Sequence, residues 1–289
     1  MKKILIIIAL FAGWLQSCDK IDSPYGTATN GGGTVDTAST DSISGNDTLQ
    51  KVLLEEYTGH TCINCPAAHA EALALHNLYG KQLVTVSVHA GFYARTYTNP
   101  DSSYSYDFTT PVGNDLYNQF IPASQPFPTG CLQRKKNSLN VYQTPHGAWG
   151  TNITPYILSK PKVIMHLSGS YNANAKTITA SIKGLVKEDI NSPLTLSVLF
   201  TEDSIVNWQK NGTLNVANYT HRHALRGALN GSWGSSLGTT FTAGLTFNKS
   251  YTGNPIQADI VPKNLSIVAI LYNATTLEVV QVEERKLFP

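Results

Sequence analysis

Charge is the scarcest ingredient of this sequence. Asp, Glu, Lys and Arg make up 14% of its 289 residues, where an average soluble domain carries about 25%. So little charge excludes a long coiled coil. The 21 basic and 19 acidic residues nearly cancel, leaving +2, so there is no electrostatic footprint for nucleic acid. Four cysteines are too few to staple a chain of this length as a disulfide scaffold. No G-x-S-x-G elbow, P-loop or dinucleotide fingerprint occurs, which leaves no sequence case for a hydrolase of that type or a nucleotide enzyme. What is plentiful is material for a core. The chain is 42% hydrophobic and 9% aromatic, which excludes a fully disordered protein and suits about two domains.

The first residues read as an export signal. Lys2 and Lys3 precede a short apolar run, Leu5 to Ala12, too short to span a bilayer comfortably. The segment ends Leu15-Gln16-Ser17-Cys18, which resembles the lipobox of bacterial lipoproteins. That resemblance implies a signal peptide over 1–17, cleavage before Cys18, and membrane attachment through lipid on that cysteine, where multiple acyl chains anchor stably. No later stretch is long and apolar enough for a transmembrane helix. Residues 18–50 follow as a flexible linker, with Gly31-Gly32-Gly33, many Ser, Thr and Asn, five acids and one lysine after the cysteine.

The remainder divides by pattern. Val52 to Tyr57 reads as a strand, Pro66 to Tyr79 as a helix stopped by Gly80, and Leu83 to Val88 as an alternating strand. Strand, helix and strand in that order predict a βαβ unit with a parallel pair. An aromatic, Pro- and Gly-rich insertion covers about 91–118, with a short helix near Asn114 to Phe120. Cys131 to Arg134 suits a further strand, and Trp149 to Lys160 a closing helix before Pro161. Beyond it, Val163 to Leu167, Lys176 to Lys183, Leu194 to Thr201, Thr239 to Phe247, Leu265 to Tyr272 and Glu278 to Glu283 alternate with period two. The expected fold is therefore α/β plus all-β, an α/β domain over 51–160 followed by an Ig-like β-sandwich over 161–289.

The chemistry-bearing motif is Thr61-Cys62-Ile63-Asn64-Cys65-Pro66, between a strand and a helix. Cysteines three apart at a helix start can close a small disulfide, and the helix dipole with its free N–H groups stabilises a thiolate there. Pro66 fits early in the helix because its missing N–H is not needed. Here the chain resembles the thioredoxin-like superfamily. The resemblance implies that Glu56 stands where many members carry a buried acid that assists proton transfer. It implies also that Phe127-Pro128-Thr129 is the cis-proline loop that faces the cysteines and binds substrate backbone. The chain departs from the pattern at Thr61, where a tryptophan is usual, and in the Ile63-Asn64 dipeptide.

A narrower likeness joins Tyr57-Thr58-Gly59-His60 and the cysteine motif to Phe127-Pro128-Thr129-Gly130, then to Glu202-Asp203, Gln209, Tyr219-Thr220-His221-Arg222-His223 and Arg226. This set resembles the twenty-eight-kilodalton outer-membrane lipoprotein family of Bacteroidetes over roughly residues 50–289. It implies a lipid-anchored protein of the outer membrane, facing the periplasm or the surface.

Two functions are open. In the first, the site exchanges thiols and disulfides on envelope proteins. Cys62, nearer the helix start and more exposed, attacks; Cys65 resolves; a cationic His60 lowers the Cys62 pKa; Glu56 moves protons; Pro128 orients the substrate strand. In the second, Cys62–Cys65 is a structural disulfide and the protein is a non-enzymatic surface interaction or adhesion lipoprotein. The insertion aromatics Phe92, Tyr93, Tyr97, Tyr104 and Tyr106 then either pack the insertion or cover the cysteines. His60, Cys62, Cys65 and His69 could together suit Zn or Cu, and His221 with His223 share a strand face. No metal site and no cofactor is expected from either set. Cys131 reads as a buried core residue.

Overall fold

The structure is a computed structural model describing residues 48–121, 127–253 and 259–288. The signal segment, Cys18 and the linker up to residue 47 lie outside the described residues. The parallel unit forms as its pattern requires. β1 (Val52–Thr58) runs into α1 (Cys65–Tyr79), which returns the chain to β2 (Leu83–His89), parallel to β1 with Val52 opposite Leu83 and Thr58 opposite His89. Every residue of both strands is buried, because both faces of the sheet are covered. Val52, Leu54 and Leu83 face Ala68 and Ala72 of α1 and Trp149 and Ile153 of α3 (Trp149–Ile157). Leu53, Val84, Val86 and Val88 face Val112, Leu116 and Phe120 of α2 (Pro111–Phe120).

The helix α2 starts earlier than its expected position. The Thr110 side chain accepts from the Gly113 N–H at 2.9 Å, and Pro111 takes the first turn. After the described chain resumes, the Phe127–Pro128 peptide is cis. β3 (Thr129–Leu132) then pairs antiparallel with β1, and β4 (Gln143–Thr144) pairs with β3. At Gly130 an added Cβ would lie 2.6 Å from the Trp149 indole nitrogen, so glycine lets the helix α3 seat against the sheet.

The second half builds two layers. β5 (Val163–Asn172), β6 (Thr177–Val186) and β12 (Thr246–Thr252) form a three-stranded sheet, in the order β12-β6-β5. β7 (Leu194–Glu202), β10 (Ala224–Ala228), β13 (Leu265–Asn273) and β14 (Val279–Lys286) do not close a separate sheet. They continue the first one, giving the order β14-β13-β7-β10-β2-β1-β3-β4, with β11 (Ser235–Gly238) also on β7. The expected junction near residue 160 falls between α3 and β5, and the sheet runs across it. The described residues group as one compact unit. A second core fills the space between the layers, with Met165, Ile178, Ala180 and Ile182 against Leu196, Val198, Ile267 and Leu271.

Three sequence expectations need correction. The strand expected over Thr239 to Phe247 lies later, at Thr246–Thr252, while buried Phe241 makes only an isolated bridge to Ile190. The closing helix ends at Ile157, with Pro155 inside its last turn. The segment after Glu202 holds an unexpected hairpin, β8 (Ile205–Asn211) and β9 (Leu214–His221), joined to no other sheet. Its residues are mostly half-buried or exposed, so it lacks the apolar alternation that reveals a strand.

Deep in the first core, Arg134 meets Glu55 through Nη2 at 2.6 Å and Nε at 3.1 Å, both side chains fully buried. Phe120 and Tyr272 flank the guanidinium at 5.1 and 5.3 Å, so residues of both halves enclose it. Removing one member of such a pair strands the other charge. Arg134→Met should therefore lower the unfolding free energy by about 3–5 kcal/mol in chemical denaturation. Adding Glu55→Leu should restore most of that loss; a double variant no better than the single one would show that the pair is not the source.

Candidate functional site

The two cysteines sit where β1 turns into α1. Cys62 and Cys65 are joined, with S–S 2.12 Å and Cα–Cα 5.4 Å. The loop before them is pinned from outside. An added Cβ on Gly59 would lie 2.3 Å from the Tyr93 carbonyl carbon, so only glycine allows this approach. The Tyr93 carbonyl accepts from the Thr61 N–H at 3.1 Å and the Thr61 hydroxyl at 2.9 Å.

The β8–β9 hairpin covers the motif from the other side. The Gln209 amide donates to the Cys62 carbonyl at 3.0 Å and approaches the Gly59 carbonyl at 3.4 Å. The Lys210 N–H donates to the His60 carbonyl at 2.8 Å, and the Gly212 N–H to the Ile63 carbonyl at 2.9 Å. Cys62 is 2% exposed and Cys65 0%. The sequence expectation of a more exposed Cys62 is thus corrected: the hairpin, which alternation does not reveal, closes over it.

His60 is fully buried, its Nε2 bonded to the Arg95 carbonyl at 2.9 Å and its ring edge-on to Tyr104 and Phe108. Burial holds its pKa below the usual histidine value, against the opposing pull of Arg95 and Asp107. It is therefore neutral near pH 7 and does not supply the positive charge expected of it. The insertion aromatics divide. Phe92 is exposed, whereas Tyr104 is buried and donates to Asn215 of the hairpin at 2.7 Å.

Glu56 turns to α1 and β2. Its Oε1 lies 3.3 Å from His69 Nε2, and its Oε2 accepts from the Ser87 hydroxyl at 3.3 Å. Burial pushes its pKa up to about 8, with Ser87 and His223 pulling weakly the other way. His69 is pushed down to about 4 by burial, so this close pair is neutral on both sides at pH 7. His69 Nε2 also meets the Thr58 hydroxyl at 3.0 Å, and its Nδ1 meets the Tyr219 hydroxyl at 2.7 Å. Sequence reasoning held Tyr219 only as part of the family-like run and missed Thr58 and Ser87 as partners. The period-two placement of Glu56 and Thr58 on one strand face was the available signal.

The residues weighed as metal ligands are dispersed: the cysteines are bonded to each other, His60 points to Arg95, and His69 to Tyr219. His221 Nε2 meets the Trp208 carbonyl at 3.3 Å, while the His223 backbone N–H donates to Asp203 at 2.9 Å. Cys131 is a free, fully buried thiol whose pKa burial raises. The remaining family-like residues are wiring. Arg226 bonds Asp259 at 2.6 Å and lies 3.3 Å from Glu202, and the Tyr106 hydroxyl also donates to Asp259 at 2.6 Å.

A parallel βαβ unit carrying a Cys-x-x-Cys disulfide, continued edgewise by strands of a two-layered β half, defines a mixed α/β protein with substantial sheet content. The family described as outer membrane protein Omp28 matches residues 114–288, and the chain belongs to it. The protein is thus an outer-membrane lipoprotein, as the sequence resemblance implied. Among the described residues no helix is long and apolar enough to cross a membrane. The matched region holds the β half and the hairpin, and begins after the cysteine motif. Among solved structures, HBP35 of Porphyromonas gingivalis is similar at a TM-score of 0.63 and 18% identity, over 83% of this chain and 76% of that one; this likeness is one of fold. A domain of the outer membrane lipoprotein Omp28 from the same organism is 26% identical over 45% of this chain and 90% of its own, with a TM-score of 0.31. A protein of Agrobacterium tumefaciens is 12% identical over 83% of this chain and 95% of its own, with a TM-score of 0.47. No protein of curated function matches the sequence.

The Glu56 shift fixes a pH dependence. A carboxyl whose pKa rises from 4.5 in the unfolded chain to about 8 in the folded one favours folding while protonated. That contribution is fully present below pH 4.5 and is lost as pH rises through 8. His69, lowered to about 4, acts oppositely, but only below pH 6.5. Between pH 6.5 and 8, where Glu56 alone titrates of the two, it should cost about 2 kcal/mol of stability. Denaturation of Glu56→Gln across this window should lack that loss; an unchanged slope would remove Glu56 as its cause.

Proposed function

We propose that this outer-membrane lipoprotein is a non-catalytic binding protein and that Cys62–Cys65 is a sealed structural disulfide. The observation that carries this reading is the cover over the pair. Both cysteines are buried, and the hairpin takes the carbonyls of His60, Cys62 and Ile63 as hydrogen-bond acceptors. A thiol-exchange centre needs an attacking sulfur within reach of another protein's disulfide and free backbone on which a substrate strand can pair. Here an internal strand, β8, already occupies the backbone beside Cys62. A buried cross-link in an oxidising envelope is a stabilising device.

The fold beneath it we infer to be thioredoxin-like over 51–160. Support comes from the parallel β1–α1–β2 unit, the cysteine pair at the start of α1, and the cis Phe127–Pro128 bond followed by antiparallel β3. The two packed layers over 161–289 support an Ig-like sandwich that has merged one sheet with the first domain. The signal peptide of 1–17, lipid on Cys18 and a linker over 18–50 complete the organisation, with envelope or surface proteins as the class of partner.

The protonated Glu56 favours a second reading, exchange at Cys62 with Cys65 resolving, Glu56 moving the proton and Pro128 orienting the substrate. That reading requires the hairpin to leave first. The two are separated by redox titration of the full mature chain, read by thiol alkylation and mass. A sealed disulfide stays oxidised to potentials below about −300 mV, whereas a midpoint between about −120 and −270 mV would establish an exchange centre. Gln209→Ala should leave a sealed pair unreduced by thioredoxin-strength dithiols.

A further inference from the structure

Between α1, β2 and β9 lies a cavity of about 390 Å³, within the range of small-molecule sites. Pro66, Ala70 and Leu73 line it from one face of α1, where they recur at helical spacing. Together they form an apolar strip about 10 Å long, seven residues at the helical rise. Leu73 is 42% exposed, and Ala70 is exposed as well, so this strip meets water. Opposite it are Thr85 and His89 of β2 and His221 at the end of β9. The Thr85 hydroxyl oxygen, both His89 ring nitrogens and His221 Nδ1 have essentially no accessible surface. These residues therefore close the cavity without offering those atoms to a guest.

Charge stands at the rim, where β9 ends. Arg222 lines the cavity and is exposed, and among the described residues its guanidinium has no hydrogen bond or ion pair. It is close enough to Tyr219, another lining residue, to oppose the rise that burial gives the tyrosine pKa. His223 also lines the cavity, but its Nδ1 already has Asp203 at 3.9 Å and Glu284 at 3.8 Å. Burial lowers the His223 pKa, and Glu284 and Asp203 outweigh that to leave it raised. Glu56, the one acid among the lining residues, is held protonated at pH 7 by burial. Burial likewise keeps His69, His89 and His221 neutral. The charge lining this space is thus positive, and Arg222 is free to take a counter-charge. One guanidinium fork matches one carboxylate in a planar, bidentate pair. An apolar slot with that fork at its mouth suits an anion carried on a hydrocarbon body.

We propose that this cavity binds a small amphiphilic carboxylate of about the size of octanoate. Its hydrocarbon chain lies on Pro66, Ala70 and Leu73, and its carboxylate pairs with Arg222 at the rim. The site is separate from the reading of the disulfide, which the redox titration tests by itself.

The test is isothermal titration calorimetry at pH 7 on the full mature chain, carrying Cys18→Ser so that no lipid or detergent competes for the ligand. Octanoate is compared with four relatives. Octanol keeps the chain without the charge, octylamine inverts the charge, acetate keeps the charge without the chain, and octyl phosphate exchanges the carboxylate for a phosphate. Octanoate should fill one site with a Kd below about 1 mM and bind more tightly than the other four. Arg222→Gln should weaken it about tenfold, and Leu73→Trp should fill the slot and abolish binding. Both substitutions fall at exposed positions, and thermal melting reports that each variant is folded. The proposal is overturned if octanoate does not saturate one site below that Kd, if any of the other four ligands binds as tightly, or if either variant binds octanoate like the parent.

Discussion

The arrangement of the molecule hangs on a short seam between β2 and β10. The Ser87 N–H donates to the His223 carbonyl at 2.8 Å, and Ala224 stands opposite Ser87 in parallel register. By this seam the strands of the second half become neighbours of the βαβ unit rather than a detached layer. His223 adopts a positive φ of 49°, so the chain turns sharply between β9 and β10. The hairpin is thereby directed back over α1. The cover on the disulfide comes from that turn.

The protein invests its polar chemistry inward. Glu55 with Arg134, Glu56 with His69, and His89 with His221 all lie in or beside the cores. Low surrounding polarity keeps several of these groups uncharged and raises the cost of any that lacks a partner. Groups that in an exposed cleft would act as bases or nucleophiles are here buried. The cysteine pair follows the same rule, bonded to itself and buried.

How much of this was legible in the sequence can be argued residue by residue. The βαβ unit was, because β1 and α1 carry strong periodic signals and Gly80 marks the stop. β2 was legible as a strand through Val84, Val86 and Val88, but alternation alone does not report the burial of Thr85 and Ser87 between them or of His89 after them. They are buried, because α1 and β9 cover that side. The hairpin was not legible, since its strands, Ile205–Asn211 and Leu214–His221, bury little apolar surface and are held by backbone hydrogen bonds that no composition reports. Continuity of the sheet across residue 160 was equally hidden, because it depends on which strand edges meet. The disulfide could be read from its spacing, but its enclosure depended on Gln209, nearly 150 residues away.

Just before β1, Gln50 and Lys51 are fastened to the last strand. The Gln50 amide reaches the Val280 carbonyl at 3.2 Å, the Lys51 N–H donates to the Gln281 side chain at 3.0 Å, and the Lys51 ammonium pairs with Glu283 in the interior. A pull on the chain just before β1 acts on these residues. It is met by a clasp between first and last strands before it can peel β1 from its neighbours. The clasp makes this point a mechanical strain relief, like the collar on a cable, so that a pull applied there need not reach the disulfide.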